Sequence, residues 1–387
     1  MKNPRIDFPA DRLEAGRRWS AEAAPFWLLR LFLCLIVLLA AGACYSGSPP
    51  LQGRATGNTT AKPPAGCRIR PVSGDTRAVA VGAHSLLVVG EGIGLLRSDD
   101  DGRSFENSAP AGDMHWPAIT FGNRGALVSW ISPGELSVLH VAAVDEGLHG
   151  PVDVYSSKNP LIDTEILELS TGELLLLASE VVGPPNSNRA AYTVHCFCSG
   201  DGGHHWEERS RPVSAPWGVN IEDPRLIEVE GGRILLAFEW EDEEGGPSRI
   251  LIEFSDDAGR SWSVPEILWA GRPSDREPGG FFRRNGLLYF VASSDRDSGR
   301  SYAGAFLRLF VSDDGGKSWK QHFSPVPDPD QLSMGAVVLE DRVLLLSLRF
   351  YSTGHPELYF YPLDSLGFWL LPCPGISSNR GCASAGL

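Results

Sequence analysis

Long apolar runs, metal-ligand spacings and nucleotide-binding loops are missing from this chain of 387 residues. Its one sustained apolar run, Leu31–Ala43, has 13 residues, short of the roughly 20 that a membrane-spanning helix needs. No G-x-G-x-x-G or G-x-x-x-x-G-K-[ST] loop occurs, and no cysteine or histidine spacing matches a zinc site, so no cofactor and no metal are expected. No segment of ten or more residues shows helical periodicity with caps, which excludes an α/β plan. Charged residues make up only 21 % of the chain, too few for a disordered one. Basic charge is scarce: 34 Lys and Arg stand against 48 Asp and Glu, a net charge of −14. Residues 44–387 alone keep 28 basic and 44 acidic residues, a net −16. Such a surface argues against nucleic acid as a partner, and it repels an anionic sugar unless arginines gather locally.

What is abundant is turn chemistry. Forty-three Gly, 29 Pro and 11 Trp fit many short strands joined by tight turns. One short pattern recurs four times as S-x-D-x-G-x-x-[W/F]. Its copies are Ser98, Asp100, Gly102 and Phe105; Ser199, Asp201, Gly203 and Trp206; Ser255, Asp257, Gly259 and Trp262; and Ser312, Asp314, Gly316 and Trp319. An apolar run precedes each copy and reads as a strand, as in Arg249–Phe254 and Ala305–Val311. The Ser and Asp side chains suit hydrogen bonds to nearby backbone amides that close a turn. The Gly supplies a positive φ, and the aromatic folds back between sheets. The four aspartates are spaced by 101, 56 and 57 residues. The first gap is double, so a sheet without the pattern lies between the first two copies. A fixed period of this size indicates a propeller or an array, and the strand runs divide into six blades.

The four copies resemble the Asp-box, or BNR, repeat of the sialidase family. That resemblance implies an all-β, six-bladed β-propeller with the Asp-box hairpins on the face away from the active site. It also implies three arginines for a substrate carboxylate, a Tyr–Glu nucleophile pair and an Asp acid/base, an exception to the usual two-carboxylate rule. Carried onto this sequence, Tyr351 is the tyrosine, with Glu222 or Glu239 as its partner. Arg249, Arg300 and Arg349 are arginine candidates, and Arg68 or Arg70 in Cys67-Arg68-Ile69-Arg70-Pro71 stands where the family has F-R-I-P. The first blade's upper loop offers Glu91 in place of an Asp, with Asp113 displaced.

The leader carries Arg17, Arg18 and Arg30 before the apolar run, the layout of a signal segment. Cys44 follows Ala-Gly-Ala, which is similar to a bacterial lipobox in which that cysteine is lipidated. Soluble secretion and an uncleaved anchor are the alternatives. The expected organisation is leader 1–43, Ser/Pro/Gly linker 44–66, propeller 67–373 and tail 374–387. The protein is thus expected at the cell envelope, held to a membrane through an N-terminal lipid or anchor. Export permits disulfides. Cys67 with Cys373, or Cys373 with Cys382, are the open pairings. Cys196 and Cys198 point to one face of a strand and cannot readily bridge each other.

In a propeller, ligands bind at the mouth of the central channel. Carboxylates expected there are Asp163, Glu165, Glu222, Asp223, Glu277 and Asp330, with Trp116, Trp130, Trp240 and Tyr351 as aromatics and Arg189, Arg225, Arg300 and Arg349 as cations. His115 and His355 also fall near the mouth. Aromatics with carboxylates suit a sugar ring, which offers apolar faces and hydroxyl donors. Glu222-Asp223-Pro224-Arg225 looks like a strand start in mannoside phosphorylases and related five-bladed glycosidases, where a carboxylate serves the sugar; a salt-bridged strand start is the plainer reading. The functional expectations are therefore a carbohydrate-binding propeller of exo-sialidase type, with catalytic Tyr351, Glu222 and Asp223 and substrate-binding Arg225, Arg249, Arg300, Arg349, Trp130 and Trp240, or a non-catalytic module for glycan or envelope protein.

Overall fold

The computed structural model describes residues 76–110, 112–145, 147–183, 190–242, 248–270, 276–294, 306–323, 331–350 and 356–362. They form an all-β propeller. Blade 1 is β1 (Thr76–Ala80), β2 (Leu86–Gly90), β3 (Gly94–Ser98) and β4 (Glu106–Ala109). Blade 2 is β5 (His115–Gly122), β6 (Gly125–Ser132), β7 (Ser137–Val144) and β8 (Leu148–Ser157). Blade 3 is β9 (Leu161–Glu168), β10 (Leu174–Val182), β11 (Ala191–Ser199) and β12 (Glu207–Ser210). Blade 4 is β13 (Asn220–Glu228), β14 (Ile234–Glu241), β15 (Ser248–Ser255) and β16 (Glu266–Trp269). Blade 5 is β17 (Arg276–Arg284), β18 (Leu287–Ser294), β19 (Phe306–Ser312) and β20 (Lys320–Phe323). A last sheet holds β21 (Gln331–Val338), β22 (Val343–Phe350) and β23 (Pro356–Pro362). Each sheet is an antiparallel meander with its strands in chain order.

The expectation of six blades is corrected here: five sheets have four strands, and the sixth sheet has three. Residues beyond Pro362 lie outside the described ones, so no fourth strand is seen to follow β23. The inner strands β1, β5, β9, β13, β17 and β21 touch in cyclic order, and β21 also touches β1. The leader 1–43, linker 44–66 and tail 374–387 lie outside the described residues, as do Cys44, Cys67, Cys373 and Cys382.

The core sits in the seams between sheets. Leu174–Ala178 of β10 are buried without alternation, at 0 % exposure each, because both faces of that strand are covered. Leu175, Leu177, Cys196 and Cys198 of blade 3 pack with Ile221, Leu236, Phe238 and Leu251 of blade 4. Leu86 and Val88 of blade 1 pack with Leu344, Leu346 and Phe360 of the last sheet. Cys196 and Cys198 are unbridged, and burial pushes their thiols up to about 12 and about 11.

The four S-x-D-x-G turns have one geometry. In the first, the Ser98 hydroxyl donates to Asp100 Oδ1 at 2.9 Å and accepts from the Gly102 amide at 2.9 Å. Asp100 Oδ1 also accepts from the amides of Arg103 and Ser104 at 3.0 and 2.8 Å. Asp314 does the same with Lys317 and Ser318 at 3.0 and 2.9 Å. The second carboxylate oxygen takes a side chain six residues after the serine: Ser104, His205, Ser261 or Ser318, at 2.5–2.6 Å. Gly316 has φ +88, and a Cβ there would lie 2.3 Å from Leu235 Cδ1 of blade 4, so the turn presses directly on the preceding blade. The aromatics occupy the same seams: Phe105 stacks on Phe360 at 5.1 Å, and the Trp262 indole donates to the Ser210 hydroxyl at 3.1 Å.

Two pH effects follow. Hydrogen bonds from the serine six positions on, with the turn amides, hold Asp100, Asp257 and Asp314 down at about 2. A depressed carboxylate contributes stability above its unfolded value of about 4, lost as pH falls through the folded one. The melting temperature should therefore fall from about pH 5 towards pH 2, less steeply in Asp257→Asn; identical slopes would exclude the turn aspartates as the cause. Glu253 works in the opposite sense. It lies opposite Leu236 on β15, is 1 % exposed, and neither of its carboxyl oxygens has a hydrogen-bond partner. Burial pushes its pKa well above the carboxylate range, so folding is disfavoured as pH rises above about 4, where the unfolded chain releases this proton. Glu253→Gln should gain melting temperature over the parent from pH 4 to pH 8, and parallel curves would refute this.

Candidate functional site

Register places the functional end. Thr76 pairs with Gly90, and Leu86 pairs with Ser98. The start of each inner strand therefore shares one end of the ring with the loop after each second strand, and the S-x-D turns occupy the other end. At the first end five inner strands carry a one-residue irregularity. It falls after His115 in β5, around Asp163 in β9, after Glu222 in β13, at Gly279 in β17 and at Met334 in β21. Such bulges re-aim side chains at the rims of barrels and beside active sites. In blades 2, 3 and 4 the bulged residue is not glycine, yet it is left-handed: Trp116 at φ 46, Asp163 at φ 51 and Asp223 at φ 56. Strain of this kind persists only where surrounding contacts hold it.

The contacts are visible. Arg225 Nη2 donates to Asp223 Oδ1 at 2.7 Å, Nη1 to Pro224 O at 2.8 Å and Nε to Gly279 O at 3.3 Å. Arg77, from the first inner strand, reaches the same Asp223 oxygen at 3.6 Å and donates to Thr76 O at 3.0 Å. Asp163 Oδ2 accepts from the Asp223 amide at 3.3 Å, and Glu165 Oε1 accepts from the Leu226 amide at 3.3 Å. Thr164 donates to Trp116 O at 2.7 Å. Blades 1 to 5 are thus tied at the axis by one polar network. Burial pushes the Glu165 carboxyl up, against the opposing pull of Arg225 and Arg77.

A second cluster stands on the wall between blades 1 and 2. His115 Nδ1 lies 2.7 Å from Glu91 Oε1, and Nε2 lies 3.3 Å from Asp113 Oδ1. The Trp116 ring is 5.7 Å away. Trp130 stacks on His140 at 5.1 Å, and His140 Nδ1 lies 2.8 Å from Asp153 Oδ1. His115 thus has two carboxylate partners, Asp113 two residues before it and Glu91 from blade 1.

The other expected residues divide. Glu222 is half-buried opposite Glu239 in the β13–β14 register. Asp223 and Arg225 meet at the axis, and the salt-bridged reading of Glu222-Asp223-Pro224-Arg225 fits them. Arg249 is not brought to that pair: on the third strand of blade 4, away from the axis, it binds Asp242. The Trp240 indole donates to the same Asp242 at 2.8 Å. The backbone of Arg349 pairs with Gln331 and Glu357 in the last sheet. Arg68, Arg70, Arg189, Arg300, Asp330, Tyr351 and His355 lie outside the described residues. Arg77 was legible only as part of a strand start; nothing local marks it as an axial partner of Asp223.

No family model matches the sequence, and no curated protein does. Solved structures do resemble it. A Dyadobacter fermentans protein of unknown function superposes with a TM-score of 0.56 at 11 % identity, covering 75 % of this chain and 94 % of that one. A Trypanosoma rangeli sialidase bound to the inhibitor DANA gives 0.54 at 11 % identity over 76 % of this chain and 55 % of its own. A Hadza microbial sialidase gives 0.52 at 16 % identity over 76 % and 66 %. The chain therefore has the propeller fold that sialidases use, and it spans between half and two thirds of the length of those two sialidases.

Removing Arg225 tests the network. The residue is 3 % exposed, and losing one partner of a buried ion pair costs about 3–5 kcal/mol. Arg225→Ala should lose that much in urea denaturation; a loss under about 1 kcal/mol would show that Asp223 is solvated without it.

Proposed function

We propose that this protein is an exported, sialidase-like propeller that binds carbohydrate at the mouth of its central channel. The observation that carries this reading is the axial end itself, where the left-handed bulges of blades 3 and 4 bring Asp163 and Asp223 together with Arg77, Arg225 and Glu165, and that of blade 2 sets Trp116 beside His115. Aromatic faces with carboxylates and guanidinium groups at the end of a ring are what a sugar requires. In this reading β21–β23 completes the ring as a sixth blade, the S-x-D turns are Asp-boxes that serve folding, and Cys44 fixes the chain to the envelope membrane.

Hydrolysis of exo-sialidase type is the enzymatic form of the proposal. A carboxyl pushed up by burial, as Glu165 is, suits the role of general acid. Glu91, 2.7 Å from His115, is a second candidate for the acid/base role. The non-catalytic form, a module for glycan or envelope protein, is favoured by the closure of both axial guanidinium groups on Asp223.

Purified 67–387 incubated with a fluorogenic sialoside separates the two forms. Turnover that is lost in Arg349→Ala and Tyr351→Phe supports the enzyme. Retention on a glycan array without turnover supports the binding module, and neither retention nor turnover removes carbohydrate from the reading.

A further inference from the structure

We propose that Trp217 is an outer sugar platform at the rim between blades 3 and 4, so that the mouth takes an oligosaccharide rather than a single sugar. The inference rests on the reading that this end of the ring binds carbohydrate. Trp217 is 54 % exposed. Each of the other seven described tryptophans packs against a core cluster. Trp217 belongs to none of the clusters.

Its exposure is built into an anchored turn. The Val194 amide donates to Val213 O and the Ala215 amide to Tyr192 O, both at 2.9 Å, so residues 213–215 run along β11. The chain then reverses: the Val219 amide donates to Pro216 O at 3.3 Å, with Gly218 at φ 84. Trp217 is thus the first corner of a β-turn whose second corner is left-handed. The Gly218 amide donates to Ala190 O at 3.0 Å, and Val219 bridges Ala191. Val213 and Val219 are buried on either side. Backbone bonds and two valines therefore hold the turn, and none of them uses the indole. A Cβ on Gly218 would meet nothing within 4 Å, so the turn is open to a ligand.

Position then sets the ligand class. Val182 pairs with Ala191, and Asn220 with Glu241, which puts the turn at the bulged end of the ring. From Asn220 to Asp223 the strand alone covers roughly 10 Å, more than one sugar ring. A ligand that lies on Trp217 and reaches the axis has more than one such ring. The indole is a flat apolar face whose turn is already ordered, so little freedom is lost on binding. The C–H face of a pyranose is its complement, with the hydroxyls left in water.

The test is retention of the purified full chain on an array carrying each terminal sugar both singly and at the end of a tri- or tetrasaccharide. The parent should retain the oligosaccharides at least tenfold better than the single sugars. Trp217→Ala should lose about tenfold on the oligosaccharides and less than twofold on the single sugars, and Trp217→Phe should stay within about threefold of the parent. Both variants should melt with the parent; a lowered melting temperature in Trp217→Ala makes the indole a packing group and overturns the proposal. Oligosaccharide retention unchanged in Trp217→Ala overturns this assignment alone. A parent that retains no glycan overturns the carbohydrate reading and the platform with it.

Discussion

Every sheet in this propeller has two apolar faces, and a strand such as Leu174–Ala178 admits water to neither. That constraint governs the architecture. A sheet with two faces to cover needs a neighbour on each side, and its neighbours need the same, so the arrangement is satisfied when the first and last sheets meet, as β1 and β21 do. The serine–aspartate turns make this packing specific. Each places a glycine at a positive φ that a side chain would strain, with an aromatic in the seam beside it, so that one sheet's turn is locked against its neighbour's strands. The turn's own polar groups are satisfied internally by a carboxylate with four donors, leaving the seam free for apolar contact.

With packing handled at one end of the ring, the other end is free for polar chemistry. The bulges there spoil five inner ladders at the same level and turn residues towards the axis. There Arg77, Arg225 and Asp223 meet as a network of arginine, aspartate and main-chain carbonyls. The proposed function rests on this division: the turns lock sheet on sheet at one end, and the buried polar network gathers at the other.

Much of the fold was legible because the turn needs particular atoms at fixed offsets. Ser98, Asp100, Gly102 and Phe105 cannot be exchanged for loosely similar residues without losing a bond or creating a clash, so the repeat survives in plain letters. The residue six positions after the serine carries an equal share of the bonding, yet Ser104 and His205 do not look alike until both are seen on an aspartate oxygen. The fourth strands leave little trace in the letters, since segments such as Glu207–Ser210 are four residues long and carry no alternation. The site was less legible still. Arg249 belongs to a third strand, and distance from the axis is not written in its neighbours. Asp223 and Arg225 stood out as a pair, while Arg77 did not, since an ion pair between blades 1 and 4 leaves no local pattern in either segment.

That ion pair also bears on how the chain reaches its native state. Arg77 and Asp223 are 146 positions apart, and β1 finds its second neighbour only when β21 has been made. Contacts of such long separation form late and slowly. The earliest blade therefore waits, with one face uncovered, for the latest to be synthesised. Loss of either terminal sheet would strip cover from the other, so this ring tolerates truncation poorly at both ends, and its closure is the step at which a nascent chain is most open to association with its neighbours.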